Sequence, residues 1–118
     1  MSQQSIHTAI AGHYARNKSL KEVLLAKQVD LREPRNIECH FWSASQADAR
    51  ELTTALQSRG FTIIAQQKAS NADAAMAWNI EARITQSVDL TTRHEFTEDL
   101  VTLADAHNSR YDGWGTSI

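Results

Sequence analysis

Asn36-Ile37-Glu38-Cys39-His40-Phe41-Trp42 alternates in chemistry, with apolar Ile37, Cys39 and Phe41 separated by polar Glu38 and His40. A strand turns successive side chains to opposite faces. The first three therefore share one face, and Glu38, His40 and Trp42 share the other. One apolar and one polar face is the pattern of an antiparallel sheet packed on one side only. Downstream, Ser45 with Asp48 predicts a helix N-cap. The helix it opens runs to about Arg59, with Ala49, Leu52, Ala55 and Leu56 on one stripe. Gly60 follows where a glycine commonly ends a helix. Phe61 to Gln66 is a short strand, and 67–74 is a polar loop or hairpin connection. Met76 to Ile84 alternates again, placing Met76, Trp78, Ile80, Ala82 and Ile84 inward and Asn79, Glu81 and Arg83 outward. Thr92 with Glu95 predicts a capping box. It opens a last helix carrying Phe96, Leu100, Leu103 and His107. Asp112-Gly113 turns the chain into an edge strand, Trp114 to Ile118.

Upstream of the opening stretch, Ile6, Ala9, Ile10 and His13 or Tyr14 recur at helical spacing. Arg16-Asn17-Lys18 reads as a break. Ser19 with Glu22 then starts a second helix, with Leu20, Val23, Leu24 and Lys27 at helical spacing. Asp30 to Pro34 ends it, because the residue before proline is pushed out of the α region. The expected fold class is α+β. From residue 36 the order β-α-β-β-α-β predicts a ferredoxin-like sheet with two helices on one face. Residues 1–33 form a helical extension on a domain of residues 34–118, the two making one structural unit.

Composition supports one globular domain. The chain has 118 residues, 42% of them apolar, with four glycines and one proline. Net charge is −2, which does not suggest a nucleic-acid or anionic-membrane partner. The charge is uneven. Residues 15–35 hold six basic against three acidic side chains, and residues 91–112 hold two against five. Either these are solvated helix faces, or the basic stretch meets an acidic partner segment. The lone cysteine, Cys39, excludes an intrachain disulfide and fits a reducing compartment. No apolar run reaches the roughly 18 residues of a membrane span. The N-terminus lacks the basic start and apolar block of a secretory signal. Cytoplasm is the expected location.

Pro34-Arg35-Asn36-Ile37-Glu38-Cys39-His40-Phe41-Trp42 resembles the first-strand motif of the RraB family, protein regulators of ribonuclease E activity. Tyr111-Asp112-Gly113-Trp114-Gly115-Thr116 resembles that family's closing motif, which is the specific part of the match. Gly60-Phe61 and Trp78 also fit. The resemblance covers about residues 19–118. It implies a ferredoxin-like fold, no catalysis, and binding to the non-catalytic scaffold region of a ribonuclease E-like partner, changing which RNA-decay partners assemble there. The best-known type of this family is very acidic and carries an acidic tail. This chain is only mildly acidic, so a different protein partner is the second expectation.

The residues themselves offer few alternatives. The five histidines are not spaced to share a metal with each other or with Cys39, and Cys39 and His40 point to opposite faces. No metal and no cofactor is expected. Cys39, on the core face, is expected to be a buried thiol and not a nucleophile. Glu38 and Glu81 project from the same face, with His40 and Arg83 beside them. That is either a cross-strand ionic network or an acid–base pair, and the pair needs a pocket to shift one carboxyl. Direct RNA binding would set those carboxylates against phosphate. The preferred candidate is a partner-binding surface of His40, Trp42, Glu81 and Arg83, since tryptophan and arginine are enriched at interface hot spots. Tyr111, Asp112, Gly113, Trp114 and Gly115 are expected to be structural. Helices covering Trp42, a homodimer formed through the open face or an edge strand, and a small-molecule site or enzyme under the N-terminal helices are the alternatives.

Overall fold

The computed structural model describes residues 3–70 and 75–117. The elements are α1 (Gln3–Ala26), β1 (Arg35–Ser43), α2 (Gln46–Ser58), β2 (Thr62–Lys68), β3 (Trp78–Gln86), α3 (Val88–Thr91), α4 (His94–Ala106) and β4 (Ser109–Gly115). The protein is α+β. Its four strands form one antiparallel sheet in the order β2-β3-β1-β4. The opening stretch lies in the second strand from one edge, between β3 and β4.

Alternation along β1 does what its chemistry demands. Ile37, Cys39 and Phe41 are fully buried, and Ile80 and Ala82 of β3 join them on the same face. Leu52 and Leu56 of α2 and Leu100 of α4 close over this layer. Burying each such leucine or isoleucine contributes roughly 1.5–3 kcal/mol. Ser45 caps α2 as its sequence predicts, accepting from the Asp48 N–H at 3.1 Å. Gly60 follows the helix at φ +91°. The Phe61 N–H bonds back to Leu56 O at 3.1 Å and the Gly60 N–H to Gln57 O at 3.0 Å, the paired bonds of a Schellman ending.

The N-terminal reading is corrected in three ways. Arg16-Asn17-Lys18 does not break the chain, since α1 runs unbroken from Gln3 to Ala26. Ser19 therefore lies mid-helix and caps nothing. The helix also ends before Asp30, in a second Schellman turn with Gln28 at φ +62°. There the Gln28 N–H bonds Leu25 O at 2.9 Å and the Val29 N–H bonds Leu24 O at 3.0 Å.

The C-terminal half differs too. Ser87, not Thr92, supplies a cap, accepting from the Leu90 N–H at the start of the short α3. The Thr92 hydroxyl donates back to Val88 O at 3.1 Å, and α4 starts after Arg93 with no side-chain cap. The last strand begins at Ser109 and runs through Asp112-Gly113 without turning away. It carries a register shift, so that Phe41 faces Tyr111 and His40 faces Gly113, leaving Asp112 as the extra residue of a bulge. Of the expected loop, 71–74 lie outside the described residues, as does Ile118 of the expected edge strand.

Candidate partner-binding surface

The face of the sheet away from the helices is built from the outward side chains of β1 and β3. Register places Trp42 opposite Asn79, His40 opposite Glu81 and Glu38 opposite Arg83. Sequence reasoning grouped His40, Trp42, Glu81 and Arg83, and the sheet brings all four together. His40 Nδ1 lies 3.7 Å from Glu81 Oε1, and Arg83 Nη2 donates to Glu38 Oε1 at 3.4 Å. His40, Glu81, Glu38 and Arg83 are each 35–39% exposed, so they are open to a partner while already paired with each other. A direct cross-strand pair of opposite charge, here Glu38 with Arg83, contributes roughly 0.2–1 kcal/mol. The two carboxylates each face a base, not one another, so the arrangement is an ionic ladder and not a shared-proton acid–base pair.

Trp42 is half-buried in this ladder's continuation. Its β4 neighbour is Arg110, an exposed residue that sequence reasoning missed. Placing the last strand at Trp114 hid it, and Ser109, polar yet buried, masks the alternation that its burial follows. The helices do not cover Trp42. The α1 helix packs on α4 and on the helix-facing side of β4, across the sheet from that indole.

The closing motif is occupied with folding contacts. Tyr111 is buried, its ring stacked on His13 at 4.7 Å and tilted against Phe41 at 5.2 Å. His13 Nε2 meets Tyr111 O at 3.0 Å, and Arg16 Nη2 meets His13 Nδ1 at 3.2 Å. A guanidinium can only donate, so Nδ1 accepts and the ring proton sits on Nε2, donating to the Tyr111 carbonyl. Arg16 Nη1 also donates to Asp112 O at 3.4 Å. Burial first, then the adjacent Arg16 charge, holds the His13 pKa below its usual value. Gly113 sits at φ +103°, a conformation that L side chains resist. Trp114 Nε1 donates to Asn17 Oδ1 at 2.8 Å, and Asn17 Nδ2 donates to Thr97 Oγ1 on α4 at 3.2 Å. Arg16 and Asn17, two of the residues expected to break the helix, thus join His13 in holding the bulged strand.

Cys39 faces the core, and burial pushes its thiol up to about 12, which removes the thiolate a nucleophile needs. Among the described residues no group of three or more His, Cys, Asp or Glu is placed to hold a metal ion, and no helix is long and apolar enough to cross a membrane.

Comparison with protein families finds a match over residues 15–116 to RraB, described as regulator of ribonuclease activity B. A search of curated proteins finds no match.

Proposed function

This chain belongs to the RraB family, regulators of ribonuclease activity B, and from that premise we propose that it is a non-catalytic protein which binds a ribonuclease E-type enzyme through its open sheet face and lowers RNA decay. The supporting observation is Trp42, half-buried between Asn79 and Arg110 beside the Glu38–Arg83 ion pair and the His40–Glu81 contact. An aromatic anchor beside arginines, ringed by polar groups, is the composition of an interface hot spot. Glu38 and Glu81 on the same face oppose phosphate, which favours a protein over RNA as the direct partner.

The strand order β2-β3-β1-β4, with a helix between β1 and β2 and another between β3 and β4, supports the ferredoxin-like reading. We take residues 1–33 as an extension on a domain of 34–118, acting as one unit. A single cysteine, buried in the core, supports a reducing cytoplasm.

Affinity capture with the ribonuclease's non-catalytic scaffold region tests this. The wild-type chain enriches on the scaffold, and Trp42→Ala or Arg83→Ala enriches less while keeping the wild-type circular dichroism. Absence of enrichment by the wild type removes the reading.

A further inference from the structure

Helix α1 is held to the rest of the chain largely by polar groups. Among its described residues His13, Asn17 and Leu24 are buried, and two of the three are polar. Leu24 is its one member of the buried core, while Ile6, Ala9, Ile10 and Leu20 reach that core only in part. Its other fastenings are Arg16 on Asp112 O, Tyr14 on Glu98 and the 3.7 Å approach of Lys21 to Asp89. Clefts of about 320 Å³ open on both flanks of the helix, one toward Gly113 and Trp114 and one toward Thr92 and His94. The strands β1 and β3 with α2 and α4 supply most of the buried core without it. An element with few buried apolar contacts opens at a lower free energy than the core it rests on.

His13 is the fastening that a proton can undo. Its Nε2–H donates to Tyr111 O, and Nδ1 accepts from Arg16. A second proton must enter at Nδ1. There it sets an N–H and a positive charge against the guanidinium, which displaces Arg16 from the ring and loosens its bond to Asp112 O. The groups facing the ring are Arg16 from α1 and Tyr111 and Asp112 from β4. Cys39 of β1 bonds Tyr111, and α4 turns Thr97 to Asn17 and Glu98 and His94 to Tyr14. Burial first and Arg16 second lower the docked ring's pKa, against the opposing pull of Tyr111 O and Asp112. Away from β4 the ring is solvated and takes a proton near its usual pH of about 6.5.

We propose that α1 is a proton-released strap, which leaves β4 and α4 as one unit while the sheet stays folded, and that a proton at His13 Nδ1 drives the step. The docked state dominates at neutral pH. Release bares the Tyr111 ring and frees the Tyr111 and Asp112 carbonyls. Global unfolding differs, because there helix and sheet are lost together.

Hydrogen exchange of the full chain, read by mass spectrometry at pH 7.5 and pH 5.5 and divided by the intrinsic rate at each pH, tests this. Peptides covering 13–26 exchange together, with protection about tenfold or more below that of β1 and β3 at both pH values. Their protection falls roughly five- to tenfold from the higher pH to the lower. His13→Gln keeps a donor and an acceptor but cannot take up the charge, so the fall disappears. His94→Gln, on the exposed ring stacked against Tyr14, keeps the fall. Protection over 13–26 equal to that of β1 and β3 overturns the strap. A fall that survives His13→Gln, or disappears with His94→Gln, overturns the trigger. Should His13→Gln not fold, the wild-type His13 ring resonance decides. Titration with a midpoint below about pH 6.5 supports the trigger, and a midpoint at or above it overturns the trigger.

Discussion

Asn17 on α1 and Trp114 on β4 are joined by a 2.8 Å hydrogen bond from the indole N–H to the side-chain carbonyl. The same amide reaches Thr97 of α4 through its nitrogen, so one buried side chain ties a helix, a strand and a second helix. Asn17 is 6% exposed. Replacing it by alanine strands the indole N–H and the Thr97 hydroxyl without their partner. Asn17→Ala is expected to cost about 1–3 kcal/mol, read as a lower urea midpoint at unchanged slope.

Helix endings give a prediction of opposite sign. Gln28 and Gly60 occupy equivalent positions in two Schellman turns, at φ +62° and +91°. Only one of them is the residue that this conformation favours. Gln28→Gly is expected to raise stability by about 0.5–1 kcal/mol, and Gly60→Ala to lower it by a similar amount or more. Thermal melts of the two variants check the pair. A lower melting temperature for Gln28→Gly contradicts the assignment.

Stability should fall on acidification through His13. Its folded-state pKa is depressed, by burial first and by Arg16 second. The unfolded chain therefore takes up a proton near pH 6.5, before the folded chain does, and the balance shifts toward unfolding as pH drops below that value. Above it both states are neutral at this ring and the dependence vanishes. Urea unfolding between pH 5 and pH 8 is expected to show this decline, and His13→Gln to flatten it.

Cys39 should be inert while the protein is folded. The thiol is buried and pushed up to about 12, so it offers almost no thiolate at neutral pH. Alkylation by iodoacetamide is expected to follow the unfolded fraction as urea is raised. Labelling in native buffer at the rate of a free cysteine would show that β1 opens locally.

Sequence patterns revealed some of this and hid the rest for identifiable reasons. Ile37, Cys39 and Phe41 announced β1 because one face is wholly buried and the other open, so period-two chemistry survived intact. Ser45 and Gly60 announced α2 because caps are local. Arg16-Asn17-Lys18 looked like an interruption because polarity is ambiguous. Arg16 and Asn17 are polar because they bond to a strand nearly a hundred residues away, a distance no window senses. Thr92-x-x-Glu95 had a capping-box spelling, but the Thr92 hydroxyl is spent on Val88. The bulge at Asp112 broke the alternation of β4, which hid Arg110 and so one neighbour of Trp42. His40, Trp42, Glu81 and Arg83 were legible as a group because central strands keep their register.

The grip of α1 on the bulge also limits how copies of the chain could stack. His13 and Arg16 sit on the Tyr111 and Asp112 carbonyls, occupying two acceptors of β4, while β2 at the opposite margin carries, among the described residues, a bulge near Ile64 and a terminal Lys68. A margin held in this way is guarded against strand addition. Growth into an unlimited ribbon would first require α1 to be pried from the last strand.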